Sequence, residues 1–258
     1  RDYQNVDVAL QVPFPTSARL CSSARARAGG VRLIGPNCMG LMNAHHGLCA
    51  TTGVVMGSID KLPAGGLGLA SQSGALMGAM ISRGVDIGAG FSSMVSVGNQ
   101  ADLDLNEFFE YLIDDPRTEV ICLYMEGVKD APRFAKLLAR AAAVGKPVCI
   151  AKSGRSEAGA KAAASHTASL AGAWPAFEAS CRRWGVYLFE TIYDLLQGAM
   201  LLQRGKRATT DGVAIFSGSG GGGALLTDAL EAHALKLAEL SEQTQQAVAA
   251  VFPASHRQ

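Results

Sequence analysis

The chain has 258 residues, 48% of them hydrophobic and 17% charged, which is room for one large or two ordinary domains with a real core. Its 23 Lys plus Arg against 22 Asp plus Glu leave a net charge of +1, so no global field attracts nucleic acid or an anionic membrane, and neither partner is expected. The start, Arg1 to Asp7, is too polar for a signal peptide, no apolar run approaches the length of a membrane span, and six scattered cysteines lack any C-x-x-C pair; reduced thiols in the cytoplasm are expected.

In chain order, apolar runs at Val31 to Ile34, Gly68 to Ala70, Val120 to Met125, Val148 to Ala151 and Val213 to Phe216 read as short buried strands. Helical patterns alternate with them at Ala75 to Arg83, Leu105 to Asp114, Ala131 to Val144, Pro175 to Arg183, Ile192 to Gln203 and Ala224 to Ala234. The alternation predicts an α/β protein built on doubly wound parallel sheets. The stretches 51–66, rich in Gly, Thr and Pro, and 204–211, polar and basic, read as linkers. They divide the chain into 1–50, a complete central domain at 67–203, and 212–258. The flanking pieces are too short for whole domains, and with no initiator Met the chain reads as part of a longer polypeptide.

Two turns carry the chemistry. Ser71-Gln72-Ser73-Gly74 joins a strand to a helix, where hydroxyls and successive amides hold a phosphate or, equally, only cap the helix. Ser217-Gly218-Ser219-Gly220-Gly221-Gly222-Gly223 repeats the construction and formally satisfies G-x-G-x-x-G, a pattern equally met by a plain tight turn. No P-loop motif occurs, and neither Ser71 nor Ser73 lies in G-x-S-x-G, which disfavours a serine hydrolase. If both helix starts face one spot, they suit a phosphoryl group in transit. Of the five histidines, His166 alone sits in a small-residue loop, Ala164 to Gly172, open to a ligand, although capping of that loop is an alternative role. Glu126 directly follows an apolar strand. It is placed either to accept a hydrogen bond from such an imidazole or simply to face solvent.

Gly35-Pro36-Asn37-Cys38-Met39-Gly40, Ser71-Gln72-Ser73-Gly74, Gly98-Asn99-Gln100-Ala101-Asp102, Tyr124-Met125-Glu126-Gly127 and Ser165-His166-Thr167 through Gly172 occur in an order that resembles the NDP-forming acyl-CoA synthetases, relatives of succinyl-CoA synthetase. The resemblance covers nearly the whole chain. It implies that 1–50 is the end of a Rossmann-like CoA-binding domain, 67–203 a flavodoxin-like ligase domain with a phosphohistidine loop, and 212–258 the start of a second flavodoxin-like domain. By the same resemblance His166 is the phosphorylated histidine and Glu126 the carboxylate that steadies it. Ser71, Gln72, Ser73 and Gly74 match one phosphate-holding helix start, and Gly218, Ser219, Gly220 and Gly221 look like the other. Pro36, Asn37 and Cys38 match the place where the thiol of coenzyme A arrives, with Cys38 as packing.

The substrates implied are a carboxylic acid, coenzyme A, and ATP or GTP with Mg. Nucleotide and metal fall to an ATP-grasp domain or subunit, an oligomer is expected, and no metal ligand is assigned here. Two departures stand out: Ala168 occupies a usual glycine position of the histidine loop, and Ser217-Gly-Ser-Gly replaces a turn that usually contains asparagine. A CoA- or nucleotide-binding regulatory module without turnover is the competing reading, against which the retention of His166 and Glu126 weighs. A dinucleotide-binding module built on Gly218, Gly220 and Gly223 leaves the other motifs unexplained.

Overall fold

The computed structural model describes residues 24–52, 57, 59, 62–159, 161, 174–205 and 211–251. The chain forms two compact units, Arg1–Gly205 and Lys206–Gln258.

The first unit holds strands β1 (Gly40–Asn43), β2 (Leu48–Thr51), β3 (Ala64–Ser71), β4 (Phe91–Ser96), β5 (Val120–Met125), β6 (Val148–Lys152) and β7 (Tyr187–Phe189) in one sheet of order β2-β1-β4-β3-β5-β6-β7. From β4 to β7 every pairing is parallel, and the order of that part is 2-1-3-4-5 in chain sequence, the flavodoxin-like arrangement. Helices α1 (Gly74–Asp86), α2 (Leu105–Asp114), α3 (Ala131–Ala143), α4 (Trp174–Arg183) and α5 (Ile192–Gln203) connect and cover the strands. Both faces are therefore dry. Alternate residues of β5 divide between two cores: Cys122 and Tyr124 pack with Met77, Met80, Leu195 and Ala199, whereas Ile121, Leu123 and Met125 pack with Phe109, Leu112, Phe134 and Leu138. Such two-sided burial is why the strand reads as an unbroken apolar run.

Helix starts follow local chemistry. Asp104 accepts from the Asn106 and Glu107 amides while Glu107 reaches back to the Asp104 amide, a reciprocal cap; Asp130 accepts from the Arg133 amide next to Pro132, and Thr191 from the Asp194 amide.

Three expectations change. Val31 to Ile34 is not a strand: the Leu33 carbonyl accepts from the Leu103 amide, the Leu33 amide donates to the Asp102 side chain, and Val31 is half exposed. Within 1–50, β1 and β2 form an antiparallel hairpin that was not expected, and its β1 also pairs antiparallel with β4, which adds both strands to the edge of this sheet. The sheet is parallel from β4 to β7, as expected, and the hairpin adds two antiparallel strands beyond β4. The serine-rich strand β4 had no sequence signal. It is buried throughout, and two of its three hydroxyls find partners: Ser92 with Thr118 at 2.7 Å, and Ser93 accepting from the Asn43 amide side chain at 2.9 Å.

The second unit contains β8 (Gly212–Val213) paired in parallel with β9 (Lys236–Leu237), and helices α6 (Gly220–Ala232) and α7 (Glu242–Val251). The strand expected over Val213 to Phe216 is thus shorter, and Phe216 is exposed. The helix expected from Ala224 begins at Gly220, so the glycine run is its first turn, capped by Ser219.

Candidate active site at the carboxyl edge of the central sheet

In a 2-1-3-4-5 sheet the chain leaves the first and third parallel strands in opposite directions, which opens a crevice at their carboxyl ends. Here those strands are β3 and β5, and the crevice is flanked by Ser71 and by Glu126, the residue after Met125.

At the end of β3 the Ser71 hydroxyl donates to the Ser73 carbonyl at 2.7 Å and accepts from the Ser73 amide at 3.2 Å; Ser73 caps α1 by accepting from the Leu76 amide at 3.3 Å. The Gly74 and Ala75 amides have no carbonyl inside the helix to bond and carry the positive end of its dipole. Gln72 joins this turn to β5: its carboxamide oxygen accepts from the Glu126 amide and from the Gly127 amide at 3.0 Å, and its nitrogen donates to the Gly127 carbonyl at 2.8 Å.

The Gly35–Asn37 turn closes the crevice from the side. The Asn99 amide donates to the Pro36 carbonyl at 2.9 Å and the Ala101 amide to the Gly35 carbonyl at 2.8 Å. Gly98, at φ +53°, lies so close that a Cβ would fall 2.4 Å from the Pro36 carbonyl oxygen. A Cβ on Gly74 would come 3.1 Å from the Met39 backbone nitrogen, so α1 starts directly against the segment that follows the turn. Cys38 points back into its own turn, with its thiol 3.8 Å from the Ile34 carbonyl, and burial pushes that thiol up from its ordinary value.

Pro36, Asn37, Cys38, Ser71, Gln72, Ser73, Gly74 and Glu126 are therefore brought to one edge of one sheet. Gly218, Ser219, Gly220 and Gly221 lie in the second unit, where Ser217 and Ser219 repeat the Ser71 and Ser73 pattern: the Ser217 hydroxyl donates to the Ser219 carbonyl at 2.9 Å, and Ser219 accepts from the Gly222 amide at 3.2 Å. His166, with its loop and Ala168, lies outside the described residues. Among the described residues no cluster of three or more His, Cys, Asp or Glu is arranged to hold a metal ion.

Sequence reading missed several neighbours. Lys152, the last residue of β6, is buried and donates to the Glu126 carbonyl at 3.2 Å and the Ser153 carbonyl at 2.8 Å. The Ser96 hydroxyl, fully buried at the end of β4, has no hydrogen-bond partner among the described residues and lies 3.4 Å from where a Gly74 Cβ would sit. Lys129 donates to the Gln100 carbonyl. Asp102, quoted only as part of a motif, is a buried node that accepts from Arg27 at 2.6 Å, Arg32 at 2.9 Å and the Leu33 amide at 2.9 Å. The signal for Lys152 was present, since a charged residue closing an apolar strand marks the edge where these sheets bind ligands.

This fold and edge define a flavodoxin-like α/β domain with a serine-capped helix start at its switch point. Residues 64–202 match the family described as "Succinyl-CoA ligase like flavodoxin domain", just over half of the chain, and the chain belongs to that family. It is 41% identical over 228 residues to the alpha subunit of ADP-forming acetate–CoA ligase II of Pyrococcus furiosus, a match covering 87% of this chain and 47% of the relative. It is 32% identical over 218 residues to an ADP-forming 4-hydroxybutyrate–CoA ligase of Nitrosopumilus maritimus, covering 84% and 31%. Among solved structures, dinucleotide forming acetyl-coenzyme A synthetase 1 of Ca. Korarchaeum cryptofilum, in complex with phosphate and ADP, superimposes with a TM-score of 0.79 at 30% identity, over 93% of this chain and 51% of that one. The chain thus spans about half the length of such relatives, or less.

Proposed function

We propose that this chain is the thioester-forming core of an NDP-forming acyl-CoA synthetase, acting on a carboxylic acid, coenzyme A and a nucleoside triphosphate. The names of its relatives specify ADP, which supports ATP over GTP as the donor. In this reading the His166 imidazole takes the γ-phosphoryl group and releases the diphosphate. A carboxylate oxygen of the acid then takes the phosphoryl group from nitrogen, giving an acyl phosphate and free imidazole. The thiol sulfur of coenzyme A attacks the acyl carbon, forming the thioester and expelling inorganic phosphate, while the thiol proton leaves to base or solvent.

Each described element has a task in that sequence. The α1 amides and the Ser71–Ser73 turn hold phosphoryl oxygens, where the dipole offsets their charge. Glu126 accepts the N–H of the imidazole and orients the ring. The Pro36–Cys38 turn receives the thiol end of coenzyme A; Gly218 to Gly221, in the second unit, are a second phosphate-binding helix start. Mg and nucleotide are left to an ATP-grasp domain or subunit in an oligomer; the residues described here offer no donor set for the metal. A cytoplasmic location accompanies this reading. No helix among the described residues is long and apolar enough to cross a membrane.

The observation that carries the proposal is the convergence of the α1 start, Glu126 and the Gly35–Asn37 turn on one crevice, linked by Gln72 and Gly98. The test is to incubate the intact protein with γ-labelled ATP and map the label. Acid-labile, base-stable label on His166 that is discharged by acid plus coenzyme A is the expected result. An active protein without histidine label defeats the mechanism, and binding of coenzyme A with neither label nor turnover makes the chain a regulatory module.

A further inference from the structure

Lys152 is a buried cation with no task in the mechanism above. Its side chain closes β6 beside the end of β5, with Met125 as its partner in the ladder, and the residue is 6% exposed. Two of its three N–H bonds go to the Glu126 and Ser153 carbonyls, at 3.2 and 2.8 Å, and its ammonium lies 5.7 Å from the centre of the Phe177 ring. Among the described residues it forms no salt bridge. An ammonium held by carbonyl dipoles and a ring face, with no salt bridge among the described residues, is costly to bury, and a methionine of similar length would fill the space at lower cost.

The carbonyl it grips belongs to the same residue whose amide is gripped by Gln72. The main chain of Glu126 is therefore fastened on both sides, by a neutral amide from the β3 turn and by a cation from β6. Resting on the phosphoryl-transfer reading above, we infer that Lys152 is a positioning residue for Glu126 and the standing positive charge of the phosphoryl site. It fixes the strand end from which the carboxylate projects, and its charge offsets the negative charge that a phosphoryl group adds there. Burial draws the ammonium below its ordinary value while the nearby Glu126 charge pulls it back up, so the two groups sense each other. An apolar replacement keeps the contact with Phe177 but loses the grip and the charge together.

The experiment compares K152M and K152R with the wild type in the intact protein, measuring the rate of His166 labelling from γ-labelled ATP, kcat and KM for nucleotide, and the melting transition. K152M is expected to label about tenfold to a hundredfold more slowly, with the loss in kcat and little change in KM, while K152R restores most of the rate. Wild-type labelling in K152M overturns the inference. So does an equal loss in both variants at unchanged melting temperature, because the position would then serve packing alone. If K152M loses its cooperative transition, K152Q, which retains a donor without the charge, takes its place under the same criteria. Absence of label in the wild type refutes the phosphoryl-transfer reading itself; label in the wild type with no effect at position 152 refutes only the role of Lys152.

Discussion

The Gln72 carboxamide bonds to both amides of the Glu126–Gly127 step and to the Gly127 carbonyl, so the turn after β3 and the end of β5, 54 positions apart, move as one piece. Truncating Gln72 to alanine leaves two amides and a carbonyl without their partner at a nearly buried position. The expected cost is about 2–4 kcal/mol, since each unpaired buried group costs about 1–3 kcal/mol and water recovers part of it. Urea unfolding of Q72A should show a lower midpoint with an unchanged m value, and His166 labelling should slow further than stability alone explains. Wild-type stability would mean that the bracket is dispensable.

Asp102 gives a prediction in pH. Burial alone would raise its carboxyl, but the hydrogen bonds from Arg32, the Leu33 amide and Arg27 overcome it and hold the group at about 2, below the ordinary 3.8. A folded-state value below the unfolded one means that the contribution is complete above about pH 4 and is lost as pH falls toward 2. Both arginines are half exposed, so the contribution is about 1–2 kcal/mol rather than the full electrostatic value. D102N should lower the unfolding free energy at pH 6, extrapolated from urea titration, by that amount and flatten the stability curve between pH 4 and 2. An acid limb as steep as wild type in D102N would assign it to other carboxylates.

How far the sequence reveals all this depends on whether the physics is local. Helices Leu105–Asp114 and Ile192–Gln203 match their expected bounds because Asp104 and Thr191 announce the starts and apolar periodicity carries the rest. Strand β5 is legible because two-sided burial leaves only apolar residues. Strand β4 is not, since Phe-Ser-Ser-Met-Val-Ser becomes a core strand only when Thr118 and Asn43 arrive from distant segments to bond Ser92 and Ser93. The β1–β2 hairpin was missed for a similar reason: its pairing with β4 is a tertiary event with no alternating pattern in Leu48–Thr51. At the site, Ser71 and Glu126 were visible as ends of apolar runs. The roles of Gln72, Lys152 and Asp102 consist of bonds to main-chain groups or side chains far away in sequence, which no spacing rule encodes.

Gly98 and Gly145 separate two reasons for a glycine. Both have positive φ, +53° and +73°, but a Cβ on Gly98 would strike the Pro36 and Asn37 carbonyl oxygens at 2.4 and 2.5 Å, whereas Gly145 has open space around it. G145A should cost about 1 kcal/mol, the backbone strain alone. G98A adds the clash, for about 1–3 kcal/mol more, and pushes the Gly35–Asn37 turn away from α1. Calorimetric titration of the intact protein should then show weakened binding of coenzyme A in G98A, with binding of inorganic phosphate less affected. Equal stability of the two variants would show that the turn yields freely.

Thiol reactivity tests the two-sided core directly. Cys122 and Cys149 are register partners on β5 and β6, both buried, and Cys181 lies on the buried side of α4. Burial pushes Cys149 up to about 12, and burial with a smaller push from Glu178 does the same for Cys181; Cys122 moves up through burial and then through Cys149. A thiol that neither ionises nor meets solvent does not alkylate. Cys49, on the edge strand β2, is exposed to solvent. Of the five cysteines among the described residues, a short pulse of iodoacetamide at neutral pH, read by peptide mass spectrometry, should label Cys49 first and Cys38 slowly, and should spare Cys122, Cys149 and Cys181 until denaturant opens the sheet. Release of the last three should follow the same urea midpoint as the loss of far-ultraviolet dichroism, because their exposure requires the parallel strands to part. Early labelling of Cys122 in the native protein would contradict the packing of β5 between its two layers of helices.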